Sequence, residues 1–181
     1  TQDSQNNERL DEFINQYGAP LVFTFGTGIP VTSLLIDKIR NLCRLIGKPG
    51  VFVAHSQNEK FIENGKFPVL TLSSVPFSHL FAQAALVIHH GGIGTCAQAL
   101  AAGVPQVISP YTFDQPDNAF LLWQLGISNA IDFLNDSVNQ IADTVIEVLS
   151  SDSIKEKVKH YQKLTTDETE SSVKFLLSLK E

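Results

Sequence analysis

Between Ala85 and Gly103 the chain reads ALVIHHGGIGTCAQALAAG, and few folds accommodate that order of residues. The apolar, β-branched run Ala85 to Ile88 has the length and composition of a buried strand. Two histidines close it, and Gly91, Gly92 and Gly94 follow at once. Thr95 then leads into the alanine-rich Ala97 to Ala102, a helix by composition with Gly103 as its stop. A strand, a glycine turn and a helix in succession leave backbone N–H groups exposed at the positive end of a helix dipole. Such a terminus binds phosphate, and glycines let the backbone approach a ligand closely. Thr95 can add a hydroxyl and His90 a ring N–H.

The remaining pattern extends this unit into a sheet. Strand-like runs lie at Leu21 to Phe25, Val51 to Ala54, Val69 to Leu72 and Pro105 to Ile108. Helical spacing recurs at Val31 to Leu45 (Leu34, Leu35, Ile39, Leu42, Leu45) and at Val138 to Leu149 (Val138, Ile141, Val145, Ile146, Leu149). Ser4 to Gln16 and Pro76 to Gln83 read as weaker helices, and Asn58, Glu59 and Lys60 fall in a polar, irregular stretch. Asp152 to Lys180 reads as one or two helices burying Ile154, Val158, Tyr161, Leu164, Val173, Leu176 and Leu177. Alternating strands and helices predict an α/β, Rossmann-like three-layer domain with a parallel sheet. Its strands present their carboxyl ends on one side, which would put Asp114-Gln115, after the Pro105 run, in the same crevice as the glycine turn.

A length of 181 residues fits a single domain. The net charge of −6 argues against a nucleic-acid partner. No apolar run reaches the length of a membrane span, and the start TQDSQNNER has no signal-peptide profile. Cys43 and Cys96, without metal-ligand spacing, read as reduced packing residues of a cytoplasmic protein. The chain has no methionine, even at position 1, so we expect a piece of a longer protein.

The string His90-Gly91-Gly92-Ile93-Gly94-Thr95, with Gln98, Ala102-Gly103-Val104-Pro105 and Asp114-Gln115, resembles the donor-binding signature of bacterial UDP-glucuronosyl/UDP-glucosyltransferases. These are family 1, inverting glycosyltransferases of the two-domain GT-B type. The spacing of His90 to Asp114 also matches, and the likeness begins at Leu21-Val22-Phe23-Thr24-Phe25-Gly26-Thr27. It corresponds only to the carboxyl-terminal half of a GT-B fold. The resemblance implies that residues 1–181 form a nucleotide-sugar (donor) domain for a UDP- or dTDP-hexose, with the amino-terminal acceptor domain absent from this chain.

By the same resemblance, His90 contacts the diphosphate, and the N–H groups around Gly92, Gly94 and Thr95 complete a phosphate cradle. Gly26 and Thr27 touch phosphate or sugar from the other side. Gln98 stands where plant members carry a glutamate for the ribose hydroxyls, and Asp114 and Gln115 hold the sugar. Ser74 replaces the tryptophan that stacks on uracil in plants and Phe77 the usual glutamine, so the base would rest near Ser74 and Val75, with uridine and thymidine both open. No cofactor or metal is implied, because the cradle performs a cation's electrostatic task. The catalytic base and the small-molecule or lipid acceptor belong to the missing domain, so the isolated chain should bind donor and transfer little sugar.

Each residue also has a plainer reading. His90 could cap the strand end, and Asp114 could be a helix N-cap. His89 points to the opposite strand face and reads as structural. Asp117 and Asn118 read as first-turn helix residues, Trp123 as core, and His55, His79 and His160 have no constellation around them. Two other classes compete. Gly92-x-Gly94-x-x-Ala97 fits a dinucleotide fingerprint with Asp114 as the acid, which would make the protein an NAD(P)-dependent oxidoreductase. Alternatively, the chain is the donor-binding subunit of a split two-chain glycosyltransferase.

Overall fold

A computed structural model describes residues 2–26, 29–54, 61–62 and 66–167. In chain order the elements are α1 (Gln2–Tyr17), β1 (Leu21–Thr24), α2 (Ser33–Ile46), β2 (Gly50–Val53), β3 (Phe61–Ile62), β4 (Val69–Leu72), α3 (Phe77–Phe81), β5 (Leu86–His89), α4 (Ile93–Ala101), β6 (Gln106–Ile108), α5 (Gln115–Gln124), β7 (Ser128–Ala130), α6 (Val138–Ser150) and α7 (Asp152–Asp167). The sheet order is β3-β4-β2-β1-β5-β6-β7. Every pairing is parallel except the short edge pair β3–β4.

Local chemistry explains the boundaries. Thr32 caps α2 by accepting from the Leu35 N–H at 3.1 Å, and Gly47, at φ +74°, ends the helix in a left-handed turn. Ser137 and Gln140 form a capping box at the start of α6. Strands β1, β4, β5 and β6 are buried along their whole length because helices cover both faces. Alternation along β1 sends Leu21 and Phe23 into a core shared with α2 and α6, while Val22 joins Leu10 and Phe13 of α1 on the other face. A third cluster, including Cys96, Leu100, Ile108, Leu122 and Val158, packs α4, α5 and α7 together.

The expected three-layer parallel sheet is therefore present, with differences in detail. Helix α4 begins at Ile93, directly on the glycine turn. Strands β3 and β7 had no sequence signal: β3 has two residues, and β7 is a polar Ser-Asn-Ala edge recruited by β6. Asn58, Glu59, Lys60 and His55, and the tail positions Val173, Leu176 and Leu177, lie outside the described residues. Trp123 is not core. Ala119 and Leu122 turn inward from α5, so Phe120 and Trp123, one position further round, stack on each other in solvent. Leu34, Ile146 and Leu164 are likewise exposed on the outer faces of their helices. Cys43 and Cys96 are free and buried, and burial pushes both thiols up to about 12. Among the described residues no helix is long and apolar enough to cross a membrane.

Candidate functional site

From β1 the chain builds outward through β2 and β4 and then returns to place β5 on the other side of β1. Ligands of open α/β sheets bind where the order reverses in this way, beyond the carboxyl ends of the strands. Thr24 and His89 are register partners at that boundary, so the residues after them, through Gly26 and His90, emerge side by side.

The elbow after β5 is fixed first by His89. Its ring is fully buried, with Nδ1 accepting from the Gly91 N–H at 3.1 Å and Nε2 lying 2.9 Å from Gln106 Oε1. An accepting Nδ1 requires the proton on Nε2, which then donates to Gln106. Burial lowers the His89 pKa to about 4, against the opposing Gln106 hydrogen bond, so the ring is neutral and structural. Gly91 follows at φ +87°, and a Cβ there would lie 2.8 Å from Ile108 Cγ2 and 3.2 Å from the Gln115 carbonyl. This glycine is demanded by the fold itself.

His90 points to the other side and is half-buried. Its ring lies between two glycines: a Cβ on Gly26 would be 3.3 Å from His90 Cε1, and one on Gly92 would be 2.7 Å from Nε2. A side chain on Gly92 would displace the imidazole, and one on Gly26 would crowd it, so both glycines leave the ring its place between the ends of β1 and β5. His90 Nδ1 is buried and has no hydrogen-bond partner among the described residues. Beyond it, the Thr95 and Cys96 N–H groups both turn back to the Gly92 carbonyl, at 2.9 and 3.0 Å. The helix itself supplies no acceptor for the Ile93 and Gly94 N–H groups. Nothing lies within 4 Å of a Cβ built on Gly94, so that approach is open.

A cleft of about 280 Å³ opens on this corner. Thr24, Gly26, His90 and Thr95 form one wall; Val53 and Ala54 form the floor; Ser73, Ser74, Val75 and Phe77 form the opposite wall. The anticipated residues Gly26, Val75, His90 and Thr95 thus meet in one cavity, and Gly92 abuts the His90 ring. The Thr95 N–H is occupied by Gly92, which leaves its hydroxyl for a ligand. Thr27 lies outside the described residues. Gln98 is exposed on α4 and does not line the cleft.

Asp114 and Gln115 are joined to the elbow by Asn118. This buried amide donates to the Gly91 carbonyl at 2.9 Å and to Asp114 Oδ2 at 2.7 Å. Asp114 occupies the N-cap position of α5 but makes no side-chain cap bond, so its exposed carboxylate is held sideways by Asn118. Gln115 Oε1 accepts from the Tyr111 and Thr112 N–H groups, at 2.8 and 3.1 Å. Only its amide NH₂ remains for a ligand, a narrower role than the sequence suggests. The turn before it puts Phe113 at φ +58° with 93 % of its surface exposed. Asn118 lies in the first turn of α5, as the sequence suggests, and its tie from Asp114 to the elbow is one that no local pattern marks.

The family model for the carboxyl-terminal domain of erythromycin biosynthesis protein CIII-like proteins matches residues 50–171, which contain the elbow, the cleft's far wall and Asp114. The chain belongs to this family. Among curated proteins, O-mycaminosyltylonolide 6-deoxyallosyltransferase of Streptomyces fradiae is 46 % identical over 128 residues, covering 65 % of this chain and 27 % of that protein. The chain spans about a third or less of the length of the curated relatives it matches. Among solved structures, UDP-glucose:anthocyanidin 3-O-glucosyltransferase in complex with UDP superposes with a TM-score of 0.71 at 14 % identity, over 94 % of this chain and 42 % of that one. Glycosyltransferase VinC in complex with dTDP gives 0.64 at 23 % identity, over 89 % and 40 %. These likenesses establish that the CIII-like domain has the fold of one half of a GT-B glycosyltransferase.

Proposed function

We propose that this CIII-like domain binds a nucleoside diphosphate-hexose and serves as the donor half of an inverting glycosyltransferase. The observation that carries the reading is the His90 ring, clamped between Gly26 and Gly92 beside the open N-terminus of α4. A pyrophosphate placed there meets an imidazole, the Thr95 hydroxyl and the Ile93 and Gly94 N–H groups, all aimed at negative charge. The apolar floor and far wall, Val53, Ala54, Val75 and Phe77, suit a planar base. Asp114 and the Gln115 NH₂ lie on the elbow's other flank, where a carboxylate acceptor and an amide donor suit sugar hydroxyls.

In this mechanism the domain stabilises the departing diphosphate as its bond to the sugar breaks, so that charge developing on the leaving oxygen is met by donors already in place. Those donors stand in for a divalent cation. Deprotonating the acceptor hydroxyl requires a base from a part of the enzyme other than this chain, and the small-molecule or lipid acceptor sits there too. The names of the S. fradiae relative and of the UDP- and dTDP-bound neighbours support a glycosyl donor and leave both pyrimidine nucleotides in play. The dinucleotide fingerprint is less well placed, because Gly92 follows β5 rather than the domain's first strand.

Calorimetric titration with UDP, dTDP, their glucose conjugates and NADH tests the reading. One site for a pyrimidine diphosphate and no heat with NADH is expected. Saturable NADH binding without a response to UDP or dTDP would overturn it.

A further inference from the structure

The cleft's far wall has little structure of its own. Residues 73–76 are irregular, and α3 behind them is a five-residue helix whose N-cap, Pro76, makes no side-chain cap bond. Helix α4 packs on α3 from one side, with Ala99 in the same core as Leu80 and Phe81, and a second set of ties comes from the other end of the sequence. Asn6 on α1, 1 % exposed, donates from Nδ2 to the Ser74 carbonyl at 2.8 Å. One turn on, Asp11 Oδ1 lies 2.8 Å from His79 Nε2 and accepts from Gln83 at 3.2 Å. Between these polar ties, Leu10 and Phe13 of α1 pack with Val75, Leu80 and Phe81. The opposite wall needs no such support, since it is the direct continuation of β1 and β5 into the elbow.

We infer that Asn6 is a positioning residue for base recognition: its bond to the Ser74 carbonyl sets the Ser73–Val75 wall at the distance a pyrimidine requires, while the diphosphate is bound independently at His90. This rests on the nucleotide reading of the cleft. A buried amide whose donor is used this far along the chain fixes one backbone carbonyl within the wall, and the peptide edges beside that carbonyl face the base. Removing the donor releases this side-chain tie to the Ser74 carbonyl, while the apolar packing of Val75 and the His90 corner stay as they were.

The test compares UDP with inorganic pyrophosphate, each titrated by NMR into the parent chain and into Asn6→Asp and Asn6→Ala. Loss of one neutral hydrogen bond predicts UDP binding weakened about fivefold, with pyrophosphate binding within about twofold of the parent. Retained pyrophosphate binding also certifies that the variants are folded. Equal weakening of both ligands would make Asn6 a general structural residue and overturn the inference, as would unchanged UDP affinity in both variants. A parent chain that binds neither ligand would sink the nucleotide reading itself, and this inference with it.

Discussion

The two walls of the cleft are built in opposite ways. The elbow wall grows out of the sheet: β5 runs into His89, whose buried ring pins Gly91, and Asn118 ties the same turn to α5. The far wall is an irregular segment leaning on α1 through Asn6, Asp11 and an apolar contact. On the proposed reading, the wall built from the sheet meets the pyrophosphate that nucleoside diphosphate-sugars share, and the peripheral wall meets the base, where they differ.

If the elbow belongs to the core, damaging it should cost stability before anything else. Gly91→Ala forces a side chain into Ile108 and the Gln115 backbone at a left-handed φ. Overpacking and the conformational penalty together predict a loss of about 3 kcal/mol, read as a drop in Tm. A thermal melt unchanged from the parent would show that the elbow is not a structural corner.

The same wall should carry a pH signature. His89 titrates near 4 in the fold against an ordinary value of 6.5, mainly through burial. Between those values the unfolded chain binds more protons than the native one, so stability is complete above pH 6.5 and is lost as pH falls towards 4. The shift corresponds to about 3 kcal/mol at most. Urea unfolding of the parent and of His89→Gln at pH 7 and pH 4.5 reads this out: the substitution should flatten the slope, and identical slopes would remove His89 as its source.

His90 should behave in the reverse manner, with binding lost and stability kept. His90→Ala is expected to weaken UDP or dTDP by about 2 kcal/mol, the scale of a hydrogen bond to a charged partner, with little change in Tm. An unaffected dissociation constant would take His90 out of the site. The far wall should show the smallest stability effect. Asp11 and His79 are both partly exposed, so Asp11→Asn should cost about 0.5 kcal/mol in a urea melt; a loss as large as that of Gly91→Ala would erase the distinction between the walls.

The sheet and the elbow were legible because their signals are local. The run Ala85 to Ile88, the triple glycine and the alanine-rich helix lie within twenty residues of one another, and further strands and helices from Leu21 onward show their own periods. The ties that finish the site are long-range. Asn6 reaches Ser74, Asp11 reaches His79, and Asn118 reaches back to Gly91, and no spacing rule connects those positions. His79 shows the difficulty: Gln83, one turn on, joins its cluster, but the carboxylate that completes it sits on the first helix. Trp123 misleads for a related reason, since a large aromatic beside Leu122 looks like core until the direction of α5 across β6 and β7 is known.

The central claim, that a pyrophosphate is gripped at the corner of His90 and α4, is tested most directly by following backbone amide resonances of the labelled chain during a UDP titration. The largest shifts should fall on Ile93, Gly94 and Gly26, with smaller ones at Ser74 and Val75. Saturable shifts confined to another surface, such as the groove of Phe120 and Trp123, would contradict it.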